Sequence, residues 1–302
     1  LALAYFNKRG EKELARRCME KAFALDETDA RVLLELDQLY RKLGSSVAQR
    51  LAFLDAHRET AFRRDDLYVE YCTLLNLEGR YAEALELIQA HHFHPWEGGE
   101  GKVTTQYAVA LTQLGRQALE AGDAAGAKTL LERALAFPHN LGEGKLEGAK
   151  DNNIHYYLGL AEGARGDERG ALHHLELAAA GDQEPAGAMY YNDQPADMIL
   201  YQGLANRALG REERARSRFH KLISYGDKHY YDQVKIDYFA VSLPALQLFD
   251  EDLTLRNRAH CEYLMALGSY GLGDTERAGK CSDAVLAIDC AHQGAMLHKQ
   301  LL

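Results

Sequence analysis

Two strings in this chain place charge beside unusually free backbone. Phe93-His94-Pro95-Trp96-Glu97-Gly98-Gly99-Glu100-Gly101-Lys102 and Phe137-Pro138-His139-Asn140-Leu141-Gly142-Glu143-Gly144-Lys145 both end in Gly-Glu-Gly-Lys, and the endings lie 43 residues apart. Glycine lets the backbone approach a neighbour closely or adopt positive φ. Lysine and glutamate on such turns could dock an anionic or polyhydroxyl ligand, or a partner domain. Lys102 and Lys145 are therefore candidate binding residues, expected side by side along one edge. Glycine-rich turns that merely enter helices would read the same way. A nucleotide-phosphate loop is excluded, because it requires Gly-x-x-x-x-Gly-Lys-Ser/Thr after a strand. Trp96 and His139 occupy the first glycine position here, and Val103 and Leu146 the hydroxyl position.

The run His91-His92-Phe93-His94-Pro95-Trp96-Glu97 offers imidazole and carboxylate, which suit zinc. No further ligand stands at a fixed spacing, and histidines at a helix end also suit the helix dipole. Neither a metal nor a cofactor is expected. Trp96, the only tryptophan, suits a wedge between neighbouring elements or a stacking platform for a sugar. Glycoside hydrolysis needs two carboxylates at set separations. Glu97, Glu100, Glu143 and Asp197 supply the residue type, but their spacing does not pair them. No catalytic set stands out.

These residues are carried by a repeat. Gly79, Gly122, Gly166 and Gly210 follow at intervals of 43, 44 and 44 residues, and an alanine stands five places after each: Ala84, Ala127, Ala171 and Ala215. Leu111, Leu114, Gly115 and Ala118 fall at i, i+3, i+4 and i+7, the spacing of one helical face. Gly122 then breaks the helix, and Ala127, Leu131, Ala134 and Leu135 mark a second. Leu158, Gly159, Ala171 and Leu175 repeat the pattern, as do Gly203, Ala208, Ala215 and Phe219. Gly10, Gly44 and Gly273 extend the frame to both ends.

The pattern resembles the tetratricopeptide repeat, a helical hairpin with a 34-residue period. The resemblance covers nearly the whole chain. It implies an all-α, right-handed α–α superhelix of about seven helix pairs spanning 1–302 as one solenoid. In that family the first helix of each pair lines a concave groove. Mapped onto this chain, the groove positions are Thr112, Arg116, Asn153, Tyr156, Asp197, Leu200 and Arg207, a mixed polar and aromatic set. The chain departs from the family in its longer periods. The last interval, Gly210 to Gly273, is 63 residues, long enough for an extra helix near 226–256.

The composition narrows the function. A net charge of −10 disfavours nucleic acid, whose phosphates require a basic face. No stretch has the roughly 20 apolar residues that cross a bilayer. The five cysteines lack Cys-x-x-Cys spacing and read as buried thiols in a reducing, cytoplasmic setting. The chain opens on Leu-Ala-Leu-Ala inside a helical pattern, as expected of a fragment of a longer protein. Its glycine-rich turns and Asp237-Tyr-Phe-Ala-Val-Ser-Leu-Pro244 resemble the C-terminal repeat region of large bacterial proteins whose preceding β-rich domain is similar to sugar-processing modules. Two functions are implied: a non-catalytic scaffold binding a peptide, a protein or its own N-terminal domain; or a carbohydrate-binding or carbohydrate-processing accessory region using Trp96 and Tyr156.

If the alanines mark helix crossings, Ala171→Leu or Ala127→Leu should overpack them and cost on the order of 1–3 kcal/mol. A thermal melt checks this, and the expected result is a lower midpoint in both variants.

Overall fold

The computed structural model describes residues 1–145, 149–187, 194–234 and 248–302, and among them the chain is helical, with no strand. It begins with α1 (Ala2–Ala4), which runs into a π-helical turn (Tyr5–Arg9), and α2 (Lys12–Leu25). Then follow α3 (Ala30–Lys42), α4 (Val47–Ala56), the short α5 (Arg58–Ala61), α6 (Asp65–Leu77) and α7 (Tyr81–Ala90). The middle of the chain supplies α8 (Lys102–Glu120), α9 (Ala124–Ala134), α10 (Asn152–Ala164), α11 (Glu168–Ala179), α12 (Ala196–Ala208) and α13 (Glu212–His229). It ends with α14 (Leu253–Leu272), α15 (Thr275–Ile288) and α16 (Gln293–Lys299). The first fifteen helices form seven hairpin units, α5 being an appendage of the second. α16 has no hairpin partner. The Asp237–Pro244 string and the middle of the region assigned to an extra helix, 235–247, lie outside the described residues; the described ends of that region belong to the end of α13, the start of α14 and the turns beside them.

Each glycine of the frame ends the first helix of its hairpin. Gly122 shows how. Its φ is 82°, and its N–H donates to the Leu119 carbonyl at 3.0 Å while the Asp123 N–H reaches back to Ala118 at 2.8 Å. This is the paired closure of a helix C-terminus that needs a left-handed residue, and glycine adopts that conformation without a side-chain clash. Asp123 then caps the next helix by accepting from the Gly126 N–H at 2.8 Å. Asp167 and Asp274 repeat the cap on α11 and α15.

A second glycine set governs how closely the two helices of a hairpin pack. A Cβ on Gly115 would stand 2.7 Å from Leu131, one on Gly159 2.7 Å from Leu175, and one on Gly203 2.2 Å from Phe219. The three pairs are the same crossing in successive units, each filled by one large residue of the second helix. Ala127, Ala178 and Ala215 are fully enclosed nearby, whereas Ala171 is half-buried, so Ala127→Leu is the more severe of the two overpacking variants.

Curvature follows from which helices meet across units. First helices touch the next first helix, α6 on α8, α8 on α10, α10 on α12 and α12 on α14. Among the described residues, second helices pack on first helices and not extensively on one another. First helices therefore line the inside of the curve and second helices fan out along the outside.

The crossing glycines yield a controlled comparison. Gly203→Ala should lose on the order of 1–3 kcal/mol through the clash with Phe219. Gly163→Ala puts its Cβ an ordinary 3.8 Å from that of Ala171 and should be neutral, or stabilising by up to about 1 kcal/mol through helix propensity. Urea unfolding of the two variants checks the pair.

Candidate functional site

The concave face holds a segment of the chain itself. After α15 the backbone turns inward, and α16 lies against α6 and α14. Gln293, Leu297 and Gln300 stand at i, i+4 and i+7, one face of a helix. Gln293 and Gln106 of α8 exchange amide hydrogen bonds at 2.9 and 3.2 Å. Gln106 in turn accepts from Asn76 of α6 at 2.9 Å. The Gln300 side-chain oxygen accepts from Arg116 at 3.2 Å and from the Tyr81 hydroxyl at 3.3 Å. His298 Nδ1 lies 2.8 Å from the Gly294 carbonyl and 3.0 Å from the Tyr263 hydroxyl.

Apolar contacts make the same link. Leu297 belongs to the central cluster with Tyr107, Tyr157 and Tyr201. Met296 packs on the N-terminal cluster, and Ala295 belongs to the C-terminal one. Three successive residues thus reach three separate apolar clusters. Gly294 is required by the fit, since a Cβ there would stand 2.4 Å from the Tyr263 hydroxyl.

The run leading into α16 is also held. Arg41 of α3 pairs with Asp289 at 2.8 Å, and the Cys290 thiol donates to the Ser45 carbonyl at 3.3 Å. Residues just before α14 reach the first two units too. Asn7 donates to the Leu248 carbonyl at 2.8 Å, Phe6 meets Phe249 edge-on, and Lys42 pairs with Glu251. The two ends of the solenoid are therefore in contact.

Beneath this seam lies a buried charge network. Arg50 on α4 is enclosed and grips Asp37 of α3 through two nitrogens while also binding Glu70 of α6 at 2.6 Å. Burial raises the Asp37 carboxyl against the pull of Arg50. Burial opposes the charge on Glu70 as well, but there Arg50 and Arg41 outweigh it and hold the carboxyl below its usual range. Lys102, exposed at the start of α8, adds to that stabilisation of Glu70.

The residues singled out from sequence fall into two groups. Arg116 is buried at the channel and also bonds Gln113 and Glu120. Tyr156 is half-buried against Tyr157 and Tyr201, and burial pushes its phenol up to about 12. Asp197, in the first turn of α12, has its carboxyl raised by burial despite His298 nearby. Arg207 is exposed, pairs with Glu212 and lies 5.0 Å above the Phe219 ring. Arg116 and Arg207 both oppose the rise that burial imposes on the Tyr270 phenol. Leu200 and Thr112 are packed inside as core positions, the Thr112 hydroxyl without a partner among the described residues. Asn153 is half-buried. Its neighbour Asn152 holds the end of α11, donating to the Ala178 and Ala180 carbonyls at 2.8 Å each.

The second group braces the two glycine-rich turns against each other. Glu143 accepts from the Gly101 N–H at 2.8 Å, so the glutamate of one turn serves the backbone of the other. The Phe93 N–H donates to the Asn140 carbonyl, and a Cβ on Gly142 would stand 2.6 Å from the Phe93 carbonyl oxygen. Lys145 does not project from a ridge: its ammonium donates to the Leu135 carbonyl, pairs with Asp151 at 2.7 Å and sits over Phe137. Trp96 is half-buried over Gly99. His91 and His94 bind the two oxygens of Asp65 at 2.7 and 3.1 Å. Among the described residues no group of three or more His, Cys, Asp or Glu is placed to hold a metal ion.

No family model matches the chain. Solved structures similar to it include PilW, described as a widely conserved type IV pilus biogenesis factor, at 15% identity over 74% of this chain and 89% of that one, with a TM-score of 0.41. The C-terminal part of a TPR repeat-containing protein from Cytophaga hutchinsonii is 14% identical over 96% and 95%, with a TM-score of 0.40. A tetratricopeptide repeat protein from Parabacteroides merdae is 11% identical over 97% and 93%, with a TM-score of 0.43. The tetratricopeptide-like architecture is carried by the chain's own hairpins, glycine crossings and inner row of first helices.

Acid should loosen α16 early. His292 caps it, with Nδ1 accepting from the Ala295 N–H at 3.1 Å. Burial pushes the His292 imidazole down to about 4, helped by Arg41 and His260 and opposed by Asp289. An unfolded histidine titrates near 6.5. Above that pH both states are neutral. As pH falls from about 6.5 towards 4 the unfolded chain takes up the proton first, and stability is lost in that window. His155, also pushed down to about 4 by burial and by His174, adds to the loss. His292→Ser keeps a cap without the titration and should retain on the order of 1 kcal/mol more of its neutral-pH stability at pH 5 than the parent does. Urea midpoints at pH 7 and pH 5 measure the difference.

Proposed function

We propose that the chain is a non-catalytic interaction scaffold whose concave face holds an amphipathic helical segment of a protein or peptide partner. The observation that carries the reading is α16 itself. A single-face pattern of glutamine, leucine and glutamine, with methionine and alanine beside the leucine, is already seated against the first helices. That is helix-in-groove recognition, in which anchors at i, i+4 and i+7 enter an apolar groove and polar groups fix the register. The buried amides of Gln106 and Asn76, the Arg116 guanidinium and the Tyr263 hydroxyl need hydrogen-bond partners wherever water is excluded. A partner with the α16 pattern satisfies them, and it competes with α16 to do so. The glycine-rich turns belong to the frame in this reading, because their Glu143 and Lys145 are engaged within the chain.

The test uses the chain with α16 weakened by Leu297→Asp and Gln300→Ala, titrated with a peptide of residues 289–302. One-to-one saturable binding is expected. The unsubstituted chain should bind the same peptide at least about tenfold more weakly, because its tethered helix competes at high effective concentration. If the double variant keeps its helical circular dichroism and yet binds no peptide, the groove is not a recognition surface.

A further inference from the structure

Second helices fan apart on the outer face, and between α11 and α13 this leaves an open cleft of about 430 Å³. Its walls are Glu176, Ala179, Ala180 and Gln183 on one side and Arg211, Arg214 and Arg218 on the other, with Asn206 of α12 between them. The three arginines lie at i, i+3 and i+7 and so share a face of α13. Arg211 is bound to Glu176. Arg218 is only 8% exposed, and its Nε has no hydrogen-bond partner among the described residues. Nor does an ion pair serve Arg218 or Arg214 there, although a buried guanidinium ordinarily has a carboxylate or carbonyl to bind. Burial and the like charge of Arg214 lower the pKa of Arg218 from its ordinary value, against the weaker pull of Glu184, which is itself paired with Lys221.

The arginines are not part of the repeat frame. Positions 211, 214 and 218 correspond to Asp167, Gly170 and His174 in the preceding unit, 44 residues earlier, and to Asp123, Gly126 and Leu130 in the unit before that. In the units on either side Asp167 and Asp274 cap their helices, whereas α13 has Arg211 at that place and no side-chain cap. α13 thus carries three cations where the architecture requires none.

We propose that this outer cleft binds a phosphate monoester. Three guanidiniums and one glutamate leave it two positive charges in a chain whose net charge is −10. That matches a dianion, and guanidinium forks suit tetrahedral oxyanions. The volume falls within the roughly 300–1,000 Å³ of small-ligand sites, so there is room beside the phosphate for the group it esterifies. Ala179 and Ala180 offer that group an apolar wall. The cleft lies opposite the concave face and does not depend on the function proposed for it.

The full chain is titrated with inorganic phosphate and with phenyl phosphate at constant ionic strength set by chloride, following the thermal midpoint and the heat of binding. Saturable binding of both is expected, with phenyl phosphate the tighter. Arg218→Met and the exposed Arg214→Met should each weaken it by roughly tenfold or more, since each removes a charge-assisted bond. Without phosphate Arg218→Met should melt no lower than the parent, because it removes a buried charge that no ion pair serves among the described residues. The proposal is overturned if neither ligand raises the midpoint beyond the chloride control, or if both variants respond as the parent does.

Discussion

The structure depends on the burial of one short helix among the first helices of the solenoid. α16 spans seven residues, and a helix of that length does not hold together alone in water. It exists because Ala295, Met296 and Leu297 each enter a different apolar cluster and because Gln293, His298 and Gln300 pair with groups that curvature has turned inward. The dependence is mutual. The inner row of first helices carries polar side chains that a dry interior would leave unsatisfied, and α16 supplies many of their partners.

That mutual dependence changes what kind of solenoid this is. In a stack of repeats each unit ordinarily contacts only its neighbours, and stability is close to a sum of local terms. Here Gln106 meets Gln293 across 187 positions of sequence, Arg41 meets Asp289, and Asn7 meets Leu248. Contacts of this span couple the first units to the last. The enclosed Arg50, shared by Asp37 and Glu70, sits under the same seam. A buried guanidinium with two carboxylates gives little net stability but makes the loss of any member costly. It specifies how α3, α4 and α6 meet.

The frame was legible in the sequence because it rests on local chemistry. A glycine ending each first helix at positive φ and a small residue at the crossing are both read within one hairpin. α16 was not legible. Its apolar run is too short to display a period, Gly294 reads as a breaker, and its partners lie far away in sequence. The glycine-rich turns were legible as equivalent turns, but the use of their charges was not. Glu143 proved to serve the Gly101 backbone, and Lys145 found Asp151 and the Leu135 carbonyl. Of the first-helix residues mapped by the repeat register, Arg116 bonds Gln300 and Asp197 feels His298, whereas Arg207 is exposed and paired with Glu212. Leu200 and Thr112 share that register yet turn into the core. The arginines of α13 could have been noticed by aligning the units on their glycines and asking which positions break the pattern. That Arg211 pairs with Glu176 while Arg214 and Arg218 have no ion pair among the described residues could not.

Native-state hydrogen exchange of the α16 amides tests the central claim most directly. If α16 is an integral part of the solenoid, the amides of Met296, Leu297 and His298 exchange only through openings nearly as costly as those that expose the core of α12. Exchange at the rate of a frayed terminus, with α12 still protected, would mean that the helix rests on the channel without closing it.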